Sequence, residues 1–121
     1  MRPGRAGTLL GVVGMLLGAA AGAGPVSAQE TGRLVHWPAV RSRHLDLPRN
    51  IDIWLPPGYD SSTSRYPVLY MMDGQNLFDS TTAFGGVEWG VDETLSDLIG
   101  SGGVPPMIVV GVWNSANRFQ E

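Results

Sequence analysis

Several stretches of the chain carry a clear hydrophobic period. Ile51, Ile53 and Leu55 alternate with Asp52 and Trp54, the period of two expected of a half-buried strand. Pro56-Pro57-Gly58 ends it, because proline donates nothing to a ladder and glycine admits the turn. Val68-Leu69-Tyr70-Met71-Met72 and the run Met107 to Trp113 are continuously apolar, the form of strands covered on both faces. Between them Val91, Leu95, Leu98 and Ile99 share one helical stripe. Asp92 and Glu93 occupy its first turn, where the helix dipole favours negative charge. Gly100 and then Pro105-Pro106 stop it. A weaker strand is predicted over Val40–Leu47, broken by Pro48-Arg49-Asn50. Two covered strands joined through an amphipathic helix make a βαβ unit, so the predicted class is α/β with parallel strands.

The start of the chain follows another design. Arg2 and Arg5 give a positive beginning, Thr8 to Ala23 carries no charge, and Val26-Ser27-Ala28 offers a small-residue exit. That order predicts a Sec-type signal peptide over residues 1–28, cleaved after Ala28, with a secreted or periplasmic destination. A spanning helix wants about 20 strongly apolar residues; this run is shorter and is interrupted by Gly11, Gly14, Gly18 and Gly22. With no cysteine there is no lipoprotein anchor, and the leader has no adjacent arginine pair for a twin-arginine route. Residues 29–39 are expected to be an N-terminal extension and 40–121 the folded part.

Composition narrows the function classes. The chain has 121 residues, 43% of them hydrophobic, and no cysteine. That allows one small domain and excludes a disulfide scaffold, a thiolate metal site and a cysteine nucleophile. Its 8 basic residues are all arginine and face 11 acidic ones, for a formal charge of −3. Nothing here predicts a nucleic-acid face or attraction to anionic lipid. The 17 glycines and 9 prolines are spread among apolar runs, so disorder is not the expectation.

Asp73-Gly74-Gln75-Asn76-Leu77-Phe78-Asp79 follows the first covered strand directly. Ligands gather at the carboxyl ends of strands in open α/β sheets, so a site is expected there. As a calcium loop the segment fails, since Leu77 and Phe78 stand where an oxygen ligand and the required glycine belong. As a phosphate loop it has a single glycine and no lysine. A plain turn and a turn whose backbone N–H groups face a cavity both remain open. No cofactor or metal is called for.

The residues Asn50 to Tyr59, Tyr66 to Asp79, Glu88-Trp89 and Ile108 to Val112 occur in an order that resembles the "Putative esterase" family of α/β-hydrolases. Within it the chain is most similar to exported enterochelin-esterase-like proteins; feruloyl-esterase-like and S-formylglutathione-hydrolase-like enzymes also belong, with mycolyltransferases as relatives. The resemblance implies the N-terminal part of an α/β-hydrolase sheet, about four strands and one main helix. It implies a serine carboxylesterase acting on a small-molecule ester, with a serine in a G-x-S-x-G elbow, a histidine and an acid. One oxyanion donor in that family lies in the loop after the third strand. Carried onto this sequence, it is the Gln75 backbone N–H in preference to that of Asn76. By the same resemblance Asp73 lines the substrate pocket, with Asn76 and Trp89 as further substrate-side candidates.

The sequence also departs from that family. No serine has glycine two places before and two places after it. Ser101, in Gly100-Ser101-Gly102-Gly103, is the nearest imitation, and it precedes a strand where an elbow serine follows one. His36 and His44 come before the core strands, whereas the hydrolase order is serine, acid, histidine. The expectation is therefore an incomplete active centre, inactive as this chain. Two alternatives stand beside it: a carbohydrate-binding module using Trp37, Trp54 and Trp89 as stacking platforms, and an interaction fragment without catalysis.

Overall fold

The protein's structure, a computed structural model, describes residues 31–120, the side chain of Gln120 excepted. The leader expected over 1–28 lies outside the described residues. A single mixed sheet holds β1 (Arg33–Val40), β2 (Arg49–Leu55), β3 (Val68–Met72) and β4 (Ile108–Val112), in the order β1-β2-β4-β3. The helix α1 (Val91–Gly100) joins β3 to β4. β1 with β2 and β2 with β4 run antiparallel, while β3 and β4 run parallel. The expected βαβ unit is thus present, and the whole is an N-terminal part of an α/β-hydrolase fold.

The first strand lies earlier than its periodicity predicted. β1 covers Arg33–Val40, and residues 41–48 are irregular. Pairing runs from Arg33 opposite Leu55 to Trp37 opposite Ile51, then slips before Val40 meets Arg49. Ala39 takes a positive φ of 51° at the slip. Most of the segment expected as an extension, 29–39, is therefore sheet. The ladder to β2 decides this, and a single-strand pattern does not contain it.

β2 departs from the phase its alternation predicted, although Leu55 of that phase is buried at 7% exposure. Trp54 and Asp52 are buried, at 1% and 6% exposure, while Ile51 and Ile53 are only half-buried. The reason is what lies over each face. α1 and the segment Leu77-Phe78 cover the face that carries Trp54 and Val109; Trp54, Leu77, Phe78, Leu95 and Val109 form the core, with Met71, Val91 and Ile99 packed at its margin. The other face has no layer over it among the described residues. β3, expected to be covered on both sides, is consequently open: Tyr70 is 72% exposed and Met72 66%. Its outer edge pairs with no strand among the described residues.

Candidate functional site

The site grows from the end of β3. Asp73 leaves the strand in the left-handed region, φ 57° and ψ 40°, a conformation that aspartate tolerates better than most side chains. Gly74, Gln75 and Asn76 then make one tight turn. Gly74 is there because the turn lies on β4: a Cβ at this position would stand 2.6 Å from the Gly111 carbonyl carbon and 2.8 Å from the Trp113 ring. Gly111 is the matching gap in the strand, since a Cβ on it would meet Leu77 at 2.8 Å. Two glycines from distant parts of the sequence thus let backbone rest on backbone.

Most polar groups of the turn are spent on holding it. Asn76 N–H donates to Asp73 O at 2.8 Å, and Leu77 N–H to Gly74 O at 3.3 Å. Asn76 is buried; its Oδ1 accepts from Phe84 N–H at 2.8 Å and its carbonyl from Trp89 N–H at 2.8 Å. Gln75 O accepts from the Thr82 hydroxyl at 2.8 Å. Asp79 closes the segment by accepting from the Thr81 hydroxyl and amide, which hold its carboxyl below the ordinary range. The Gln75 N–H meets no acceptor among the described residues, and neither do those of Gly74, Phe78 and Asp79.

The segment after β4 meets this turn from the side. Asn114 Nδ2 donates to Asp73 Oδ1 at 2.6 Å, and Asn114 N–H donates to Gln75 Oε1 at 3.2 Å. Arg118 adds an ion pair to Asp73 at 3.1 Å. Just before Asn114, Trp113 Nε1 donates to Asp52 Oδ2 at 2.6 Å, and Asp52 Oδ1 meets His36 Nδ1 at 2.5 Å. Asn114 and Arg118 escaped the sequence reading. The signal was available, because the rule that selects the residues after β3 selects equally those after its neighbour β4.

A hollow of about 540 Å³ opens at the same carboxyl ends, lined by Leu45, Leu47, Met72 and Val112 with His44 and Arg49 among its polar members. A slightly larger one, about 590 Å³, lies at the opposite end of the sheet around Tyr59, Arg65 and Tyr66; its position away from the strand carboxyl ends gives it no part in the chemistry proposed below. Trp89 is 55% exposed, beside the turn through its backbone bond to Asn76. The Ser101 hydroxyl is occupied at the end of α1, donating to Leu98 O at 3.1 Å. Trp54 is buried in the core, so Trp37, Trp54 and Trp89 do not form one stacking platform. Among the described residues no group of three histidine or carboxylate side chains is placed to hold a metal ion.

Comparison with known proteins places this arrangement in context. The family described as "Putative esterase" matches residues 42–120. Among solved structures, a ferulic acid esterase is similar at a TM-score of 0.54 and 25% identity, over 73% of this chain and 33% of that one. An IroE-like serine hydrolase from Shewanella oneidensis is similar at a TM-score of 0.49 and 29% identity, over 69% of this chain and 23% of that one. The chain therefore spans a third or less of the length of these two structures. No curated protein matches it.

Proposed function

The chain belongs to the "Putative esterase" family, and from that premise we propose that it builds one side of the active centre of an exported serine carboxylesterase. One observation carries the reading. At the carboxyl ends of β3 and β4, the Gln75 amide is a backbone donor with no internal acceptor among the described residues; the last residues of the two strands, Met72 and Val112, line a hollow whose walls include Leu45 and Leu47. When a serine oxygen attacks an ester carbonyl, the carbonyl π pair moves onto oxygen, and a fixed N–H at that point stabilises the charge. Loss of one such donor costs roughly 10²–10³ in rate in well-studied cases. The apolar walls suit the hydrocarbon part of a small ester. Asp73, Asn76 and Trp89 stand around the same turn, Asp73 and Asn76 with their side chains engaged in holding it.

The attacking serine, its histidine base and the orienting acid are, on this reading, supplied by a part of the fold that residues 31–120 do not build. No serine of the sequence has the elbow spacing, and the Ser101 hydroxyl is committed to a helix end. The basic start, uncharged run and Ala28 exit support export with the leader removed.

Two measurements test the reading. Purified chain in p-nitrophenyl acetate should release nitrophenolate at the buffer rate; release above buffer that disappears in Ser101→Ala would overturn the assignment of the nucleophile. Benzoate, a carboxylate like the product acid, should shift the Gln75 amide resonance. A Gln75 amide indifferent to benzoate would remove the ester site from this turn.

A further inference from the structure

We propose that Asn114 is a positioning residue that fixes the Gln75 amide in its donating direction, a role resting on the ester-site reading above. Asn114 reaches both neighbours of Gly74, Asp73 through its side chain and Gln75 through its backbone N–H. Its Nδ2 grips Asp73 Oδ1 at 2.6 Å, and its own N–H grips Gln75 Oε1 at 3.2 Å. Between those two points the chain has no slack, because Gly74 is pressed on Gly111. The side chains on either side of Gly74 are therefore both tied to Asn114, while Gly74 itself rests on Gly111. A free amide with one fixed direction is what electrostatic stabilisation of a developing oxyanion needs, since reorientation during reaction would cost part of the gain.

The same bond explains how a left-handed Asp73 is tolerated. Backbone in that region persists when its surroundings over-determine it, and the Asn114 amide on the Asp73 carboxylate is the shortest of its contacts. Arg118 reinforces the carboxylate, but its side chain is half exposed, and ion pairs of that kind contribute little. Asn114 itself is held from the chain behind it: Trp113 N–H donates to Asn50 O at 3.0 Å, and the Trp113 ring is anchored on buried Asp52.

The test uses the full chain labelled with ¹⁵N, with Tyr70→Lys in every sample so that the open β3 edge does not pair between copies. Asn114→Ala removes Nδ2 and keeps the backbone N–H. It should move the Gln75 amide resonance in the free chain and weaken its response to benzoate about fivefold, the size of one net hydrogen bond. The Val109 and Val110 amides should stay in place, showing that the sheet is intact. Asn114→Asp, which keeps the shape and sets a second carboxylate against Asp73, should do the same if the alanine variant fails to fold. The exchanged pair Asp73→Asn/Asn114→Asp turns the bond round and should restore both readouts. The proposal is overturned if Asn114→Ala leaves the Gln75 resonance and its benzoate response unchanged, or if the exchanged pair behaves no better than Asn114→Asp alone. A lowered unfolding midpoint with an unaltered Gln75 response would likewise reduce Asn114 to a loop brace and sink the role. Should benzoate leave Gln75 unmoved before any substitution, the ester-site reading falls by itself, and the free-chain resonance alone decides whether Asn114 positions the amide.

Discussion

At the level of single residues, the clearest conflict between local rule and tertiary surroundings is Asp92. Its place in the first turn of α1 promises a favourable interaction with the helix dipole, worth about 0.3–1 kcal/mol at an exposed site. The structure reverses the sign. Burial foremost, then a hydrogen bond that the protonated carboxyl donates to Glu93, and repulsion by Glu93 and Glu88, push its carboxyl from 3.8 up to about 6. Asp92 Oδ1 and Glu88 Oε2 are buried without partners. The folded chain thus keeps a proton that the unfolded chain has already lost between pH 3.8 and about 6. Stability must fall as pH rises through that window and stay lower above it. Asp92→Asn should therefore raise the urea midpoint at pH 7 and flatten the pH dependence between 4 and 6, with little change below the window. A midpoint at pH 7 equal to or below that of the unsubstituted chain would contradict the assignment. The side chain is far from fully buried, so the gain should be a modest one.

At the level of elements, the question is what fastens β1, whose outward edge pairs with no other strand among the described residues. Asp52 supplies much of the answer. It is buried on the core face of β2, opposite His36 in the ladder, and it accepts from Trp113 as well. One carboxylate thereby ties β1, β2 and the segment after β4 together. Asp52→Ala should cost about 1–3 kcal/mol in urea unfolding, the penalty for stranding the partners of a buried polar group. In the Trp113→Phe background, where one of those partners is already gone, the same substitution should cost less. Additive losses would show that the two side chains are not coupled. This element also shows where sequence reading stopped. The helix stripe, both parallel runs and the Asp73–Asp79 turn were legible, because each is a local pattern with local punctuation. The phase of β2 was not, because alternation says that two faces differ without saying which one a helix will cover. The start of β1 was hidden in the same way, since pairing with β2 defines it. The Gln75 turn could be located from the strand that precedes it, whereas its clamp, Asn114, lies 39 positions away and becomes visible only when β3 and β4 are neighbours.

At the level of the whole molecule, the uneven covering of the sheet governs behaviour in solution. One face carries α1 and the buried core; the other presents Trp37, Val68, Tyr70 and Met72, all exposed, beside half-buried Ile53, Val110 and Val112. These residues alternate correctly to form one apolar surface across all four strands, and it runs out to an edge whose backbone groups have no ladder partner among the described residues. Fully burying a single large apolar side chain is worth roughly 1.5–3 kcal/mol, so several of them side by side favour any contact that removes them from water. The open edge offers the geometry for such a contact. The chain should accordingly sediment as a monomer only when dilute and shift to larger species as concentration rises. Tyr70→Lys, placing a charge on both the uncovered face and the edge strand, should move that transition to higher concentration without touching the core. Salt separates the two driving forces: association through apolar surface persists or strengthens in sulfate, whereas association through the chain's few ion pairs weakens. A chain that stays monomeric at every concentration, with reversible and cooperative unfolding, would show that this face needs no cover. The acyl site would then stand on a self-sufficient platform.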